Sequence, residues 1–372
     1  MVIVMSKINF CIVGCGRIAT LHVLGYKDSP DARVYAVCDT DKEKADALAL
    51  KIGAQKTYYD FDDALADGNI DAVELLVPHH LHRDMAIKAC RAKKHVSVQK
   101  PMALNVKECD AMIAAAKENN VMLKVYENFV FYPPYVKAKE LMDSGEIGDP
   151  ISIRLKMVAG ASGQSWYVDP KTWLWRMQEE TCGGGPLVFD DGNHKFSIAR
   201  YFMGEPEKVF AFIDETPIDG AIYTKPDGTK VQFYEDAPAM ITWKYKDSKR
   251  YGVFDISYSK EMLIDTSYYA CDEQVEITGS KGVIWITRCT ARFQQIPSVM
   301  LYRNKETLSY HGLRDDWSAS FIDSTKDTID AIKNNRPPVL TGEDGREVVR
   351  FSLAAIRSAK QGLPVFVDDY LD

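Results

Sequence analysis

No run of 18 consecutive apolar residues occurs in the sequence, so no segment is long and apolar enough to cross a bilayer as a helix. Basic residues are not in excess. Lys and Arg number 46 against 53 Asp and Glu, and the net charge of −7 leaves no surplus of positive side chains for a nucleic-acid backbone. No block of like charge marks an interaction tail, and there is neither an internal repeat nor a low-complexity tract. Eight cysteines are present, none in a Cys-x-x-Cys pair, and Cys11 and Cys38 lie in apolar, strand-like runs. That usage reads as free thiols in a reducing compartment. The opening MVIVMSKINFCIVG is apolar, yet Lys7 interrupts it and cleavage nearby would destroy the glycine motif that follows. It is not read as a signal peptide, and a cytoplasmic location is expected.

What is present is globular composition, 46% apolar and 27% charged, in 372 residues, a length that favours two domains. The first third alternates short apolar runs with helical patterns. Strands are expected at Ile8–Val13, Val34–Cys38, Lys56–Tyr58, Ala72–Val77, His95–Val98 and Met122–Tyr126. Helices are expected at Ile18–Lys27, Asp41–Ile52, His82–Ala92 and Val106–Asn119. Repeated βαβ units with right-handed crossovers predict an α/β fold, with a doubly wound parallel sheet of Rossmann type over residues 1–130. Past Pro133-Pro134 a helix (Tyr135–Ser144), a strand (Ile151–Val158), an irregular aromatic stretch and a helical Pro186–Phe202 are followed mainly by strands. In Ala239–Lys246, Ala239, Ile241, Trp243 and Tyr245 alternate with Thr242, Lys244 and Lys246, the period-two pattern of a sheet with one wet face. Tyr251–Tyr258, Gln274–Thr278 and Val283–Thr287 follow, and helices Trp317–Asn334 and Glu343–Gln361 close the chain. Residues 131–372 are therefore expected to form an α+β domain on a large, mostly antiparallel, open-faced sheet.

Gly14-Cys15-Gly16-Arg17-Ile18-Ala19 lies between the first strand and the first helix. The first glycine suits a tight turn, the second lets backbone approach a pyrophosphate, and the small third residue lets helix and strand pack closely. Between a strand and a helix, inside βαβ units, this loop points to a dinucleotide. Asp39 closes the second strand, where a carboxylate accepts hydrogen bonds from adenosine ribose hydroxyls and repels a 2′-phosphate. Thr40 adds no positive charge, so NAD is expected over NADP. Asp39 is equally suited to cap the next helix, and both roles are compatible.

Gln99-Lys100-Pro101 follows the fifth strand, Gly184-Gly185 precedes Asp190-Asp191-Gly192-Asn193-His194, and Val77-Pro78-His79-His80-Leu81-His82 follows the fourth strand. With the glycine loop, these motifs resemble the Gfo/Idh/MocA oxidoreductases (glucose–fructose oxidoreductase, inositol dehydrogenase, rhizopine catabolism), whose segments read roughly TPN-x-x-H, EKP and GG-x-x-x-D-x-G-x-H. The resemblance runs through nearly the whole chain and implies Lys100, Asp190 and His194 as the catalytic group. Alcohol oxidation needs a base for the hydroxyl proton while hydride leaves for nicotinamide. Asp190 and His194 share a face if helical. His194 is expected as the base with Asp190 supporting its imidazolium, and Lys100 as the donor to the reacting oxygen; Lys100 as base is the alternative. Gly14, Gly16, Arg17, Ile18, Asp39, Thr40, Pro78, His79, His82, Gln99 and Lys100 are the expected cofactor contacts. Two departures stand out: Gln99 replaces the pattern's glutamate, and Val77-Pro78-His79 replaces the TPN-like turn. His79, His80 and His82 have neither the spacing nor the companions of a common metal site, and no metal is expected.

Trp166, Trp173, Trp175 and Arg176 precede the helical segment carrying Asp190, and aromatic faces stack on sugar rings. The resemblance places a pair like Trp175-Arg176 beside substrate, with Tyr126, Asn128 and Lys195 as further candidates for the pocket wall and Lys100, Asp190 and His194 touching the reacting group. No arginine cluster awaits a carboxylate, so a pyranoside or cyclitol is favoured over a hydroxy acid. The chain looks most like members oxidising the C3 hydroxyl of glucosides. An NAD-assisted glycosidase acting through transient C3 oxidation and a non-catalytic dinucleotide-binding regulator are the competing readings. The Tyr- and Trp-bearing strands of Ala239–Tyr258 suggest a homo-oligomer assembled through the second sheet.

Overall fold

The computed structural model describes residues 7–161, 166, 174–224, 227–246 and 249–370. Its contacts divide the chain into two compact units: residues up to Asn128 with Ser320–Val349, and Phe129–Ala319 with Arg350–Leu371. This grouping differs from the expected division at 130 in one respect, because 320–349 returns to the first unit. Three buried hydrogen bonds show why. Lys124 donates to Ser324 O (2.6 Å) and Asp327 (3.0 Å), and the Tyr126 hydroxyl donates to Phe321 O (2.8 Å).

In the first unit, β1 (Ile8–Val13), β2 (Ala32–Cys38), β3 (Lys56–Tyr58), β4 (Ala72–Leu75), β5 (His95–Gln99) and β6 (Leu123–Tyr126) form one parallel sheet in the order β3-β2-β1-β4-β5-β6. The reversal beside β1 is the switch point at which open α/β sheets take ligands beyond the strand ends. α1 (Ala19–His22) passes into a 3₁₀ turn at Val23–Tyr26 instead of continuing as one helix. α2 (Lys42–Ile52) starts at Asp41, which accepts Lys44 N–H, and stops at left-handed Gly53 (φ 69°). α3 (Phe61–Ala66), not anticipated from the sequence, is capped by Asp60. α4 (His82–Arg91) and α5 (Val106–Asn119) complete the crossovers, α5 beginning where Asn105 accepts Glu108 N–H at 2.9 Å. Phe10, Ile12, Val37, Leu48 and Ala72 lie in the core on one side of the sheet.

In the second unit, β7 (Pro150–Ala161), β8 (Pro206–Ile213), β11 (Ala239–Tyr245), β12 (Tyr251–Leu263), β13 (Cys271–Gly279), β14 (Gly282–Ile286), β15 (Val299–Arg303), β16 (Glu306–Tyr310) and β17 (Val365–Phe366) form a nine-stranded sheet. It is antiparallel except where β7 and β12 run parallel. A separate hairpin joins β9 (Thr216–Thr224) to β10 (Lys230–Glu235). α6 (Pro133–Asp143) and a short α7 (Glu179–Cys182) precede a π-helical turn, Pro186–Asp191, which runs into α8 (Gly192–Met203). α8 packs on the sheet through Phe196, whose ring meets Phe254 and Phe351. Ala239, Ile241, Trp243 and Tyr245 are buried as their alternation required. Trp243 fits because its cross-strand partner is Gly252, where a Cβ would lie 2.2 Å from the indole. This corrects part of the reason for expecting oligomerisation: Trp243 and Tyr245 occupy the covered face, whereas Tyr251 lies on the open face with Phe212 and Met240, 65% and 51% exposed.

Candidate active site

Gly14 has φ +95°, and a Cβ there would sit 2.3 Å from Leu76 O, so the fold itself excludes any other residue. Gly16 is different: nothing lies within 4 Å of where its Cβ would be, and it is exposed. No contact among the described residues explains the glycine, whereas a phosphate approaching the backbone would. Asp39 is half-buried and shapes the loop, its Oδ2 accepting Cys15 N–H (2.7 Å) and its Oδ1 accepting Asp41 N–H (2.9 Å). A carboxylate has about four acceptor positions, so capacity for ribose hydroxyls remains. Arg17 and Thr40 are exposed and Ile18 is half-buried. These residues fit a dinucleotide with a free 2′-hydroxyl.

Beyond β4 and β5 the two other nucleotide-side motifs are tied together. Pro78 is half-buried, and His82 Nδ1 and Nε2 lie 3.0 and 2.9 Å from Pro101 O and Val77 O. Burial, then His79, pushes the His82 imidazole down to about 3; the neutral ring carries one N–H and donates to one of these two carbonyls. His79 and His82, expected to line the cofactor crevice, are both buried, at 2% and 0% exposure, and their side chains offer it no surface. Gln99 and Lys100 are half-buried on the turn leading into Pro101, with Gln99 Oε1 accepting Lys100 N–H at 2.8 Å.

In the second unit, the glycines of the GG-x-x-x-D-x-G-x-H segment meet packing needs. A Cβ at Gly184 would lie 2.6 Å from Phe189, and one at Gly185 would lie 1.9 Å from the Asp236 carboxylate. Asp236 accepts Leu187 N–H (2.7 Å) and Val188 N–H (2.9 Å), satisfying the first amides of the π-helical turn. Burial pushes its carboxyl up to about 6 against the pull of those amides. Neighbouring Glu235 is pushed up to about 8 by burial and by Asp236, Asp191 and Asp190. Asp190, nearly fully buried, lies in that turn and pairs with Arg176 at 2.8 Å, while the guanidinium lies over the Trp175 ring at 4.8 Å. His194 is buried on α8, stacked on Phe129 at a centroid distance of 4.0 Å. Phe129 also faces the Lys195 ammonium at 5.2 Å. Neither Phe129 nor Asp236 carried a signal in the sequence.

Other expectations need correction. Tyr126 is fully buried, its hydroxyl held by Phe321 O and Thr325, and it walls no pocket. Asn128 is buried and donates to Ser320 Oγ at 2.7 Å. Lys195 is buried in ion pairs with Asp191 and with Glu273 (2.9 Å). Asp191, Cys271 and Glu273 are the one group among the described residues whose donor atoms lie close enough for a metal ion, and two of the three already bind the Lys195 ammonium. Trp166 packs edge-on against Tyr268 and Tyr269. Trp173 lies outside the described residues. All eight cysteines are free and buried, and among the described residues no helix is long and apolar enough to cross a membrane.

Comparison with known proteins agrees with this architecture. Residues 8–127 match the model of the oxidoreductase family with an NAD-binding Rossmann fold, and residues 135–285 match the GFO/IDH/MocA C-terminal domain. The chain is 28% identical over 361 residues to myo-inositol 2-dehydrogenase of Thermotoga maritima, covering 97% of this chain and 98% of that one. It is 31% identical over 227 residues to levoglucosan dehydrogenase of Pseudarthrobacter phenanthrenivorans, covering 58% and 57%. A crystal structure of a probable dehydrogenase from Thermotoga maritima superposes with a TM-score of 0.77 at 26% identity, covering 98% of this chain and 100% of that one. With both halves matched in order and the glycine loop, lysine turn and Asp190–His194 segment in place, the chain belongs to the Gfo/Idh/MocA family of NAD-binding oxidoreductases.

Proposed function

We propose that the protein oxidises a secondary hydroxyl of a sugar, glycoside or cyclitol, with the C3 hydroxyl of a pyranoside as the favoured position. The observation carrying this reading is the Arg176–Asp190 pair beside the segment that bears His194. Asp190 is buried and Arg176 half-buried, and an ion pair so placed contributes little net stability, so its presence is better explained by chemistry than by folding. The dehydrogenases of inositol and levoglucosan among the relatives support a polyhydroxylated ring as substrate. NAD, when bound, supplies the hydride acceptor. His194 takes the hydroxyl proton, with Asp190 favouring the imidazolium, and Lys100 donates to the reacting oxygen as negative charge develops there. Arg176 and Trp175 offer a donor and an apolar face to the ring. The exposed Phe212 and Met240 on the open sheet face support association of copies there, which light scattering would test by returning a mass above that of the monomer.

The experiment is detection of the sugar ketone after incubation with NAD and a panel of glycosides and inositols. Loss of the aglycone without accumulated ketone would favour the NAD-assisted glycosidase. Either His194→Ala or Lys100→Ala should lower the rate by roughly 10²–10⁴. Ketone formation undiminished in the double variant would overturn the assigned roles.

A further inference from the structure

The first unit encloses a polar network that the roles above do not use. His22, the last residue of α1, and Glu74, on β4, are both fully buried. His22 Nδ1 contacts Glu74 Oε1, and the Tyr26 hydroxyl donates to Glu74 Oε2 at 2.5 Å. On the other side of the ring, His22 Nε2 lies 3.0 Å from Gln99 Nε2, while Gln99 Oε1 accepts the backbone N–H of Lys100 at 2.8 Å. Tyr126 and Phe321 pack on the imidazole at 4.0 and 5.1 Å.

The direction of every hydrogen bond follows from chemistry. A backbone N–H only donates, so the amide atom facing Lys100 is the oxygen and the one facing His22 is the nitrogen. An amide nitrogen also only donates, so His22 Nε2 accepts. The ring proton therefore sits on Nδ1 and is given to Glu74, which accepts from Tyr26 as well. Burial, then Glu74, pushes the Tyr26 phenol well up, which keeps it a donor; Tyr126 and Lys124 are the other titratable groups nearby. One unbroken sequence of donors thus runs from Lys100 to a buried carboxylate. The pattern this chain resembles has a glutamate at position 99. A glutamate there would accept from His22 Nε2–H, and a neutral ring could then donate to only one of the two carboxylates, so that Glu74 keeps its partner only if His22 takes up a second proton. Glutamine at 99 and glutamate at 74 are therefore two halves of one arrangement.

We infer that Gln99, His22 and Glu74 are positioning residues for Lys100, fixing its turn against the helix that follows the glycine loop. The inference rests on the catalytic reading of Lys100. Gln99→Glu places carboxylates on both sides of His22 and should lower kcat by about tenfold or more, toward the ~100-fold cost of a 1 Å misplacement. The double variant Gln99→Glu, Glu74→Gln reverses both hydrogen bonds of the His22 ring at the same net charge: the amide introduced at position 74 donates to Nδ1, and Nε2–H donates to the carboxylate introduced at position 99. It should restore kcat to within about threefold of the parent. Nitrogen NMR of isotope-labelled histidine, with His22→Gln for assignment, should show Nδ1–H in the parent and Nε2–H in the double variant. The inference is overturned by an Nε2–H tautomer or an imidazolium in the parent, by a Gln99→Glu kcat within twofold of it, or by a double variant no better than the single. If the parent forms no ketone from any substrate, the reading of Lys100 fails and with it the positioning role, whereas a wrong tautomer in an active parent sinks the relay alone.

Discussion

Gly14 and Gly16 lie two residues apart in one loop, yet the same substitution should fail differently at each. Gly14→Ala puts a methyl at φ +95° and 2.3 Å from a backbone carbonyl oxygen that has no freedom to withdraw. The left-handed backbone costs about 1–2 kcal/mol, and relieving the overlap about 1–3 kcal/mol more. At roughly 2–4 °C per kcal/mol for a unit of this size, the melting temperature should fall by about 4–20 °C with or without cofactor. Gly16→Ala meets open space and carries no positive φ. It should leave the melting temperature of the free protein unchanged or raise it by the ~0.4–1 kcal/mol gained from a stiffer unfolded chain. Its cost should appear only against NAD. A methyl where backbone must approach a pyrophosphate should raise Kd at least about tenfold, or ~1.4 kcal/mol. At a cofactor concentration near 100 times the parent's Kd, the ~2.7 kcal/mol of ligand stabilisation should fall by about half. Calorimetric titration and melting with and without NAD separate the two cases. A Gly16→Ala protein that binds NAD within twofold of the parent would refute the placement of the pyrophosphate at this loop.

Three further outcomes are expected. Lys195→Met removes the counterion of Asp191 and Glu273 and should destabilise by about 3–5 kcal/mol, and Lys195→Met with Glu273→Gln should recover part of that in urea melts; equal stability of parent and single variant would show that the pairs carry no weight. Arg176→Ala leaves the Asp190 carboxylate without its guanidinium and should lower kcat/KM by about tenfold or more, and Arg176→Lys should not restore it, because an ammonium lacks the planar fork. The raised carboxyl of Glu235, about 8 against an ordinary 4.5, gives stability that is present below pH 4.5 and lost as pH rises through 8. Glu235→Gln should therefore gain on the parent between pH 5 and 8, on the order of 2 kcal/mol, and a constant gap across that window would contradict the assignment.

The first unit was legible because its strands and helices carry their own signals. β1 and α5 fall where the apolar run and the helical pattern placed them, since a strand buried on both faces and a capped helix announce themselves locally. The helix near the chain's end was equally visible, but not its partner. Amphipathic spacing shows that a face is covered without showing by what, and the answer lay in Lys124 and Asp327, 203 residues apart. Asp236 stayed hidden for the same reason: it caps a turn 49 residues earlier in the chain, and no local pattern predicts so distant a cap.

The glycines show how far such a reading can be pushed. Gly14, Gly16, Gly184 and Gly185 all read as motif positions, and the sequence offers a separate reason only for the first two. Geometry separates them. Where an added Cβ would strike Leu76 O, Phe189 or Asp236, the residue is held by the protein's own packing, and its presence says nothing about a ligand. Gly16 faces nothing. A position that the fold leaves unconstrained, in a loop whose neighbours are tightly constrained, is the one that reports on a bound molecule. A dinucleotide at this loop is therefore signalled more by Gly16 than by the completeness of the motif.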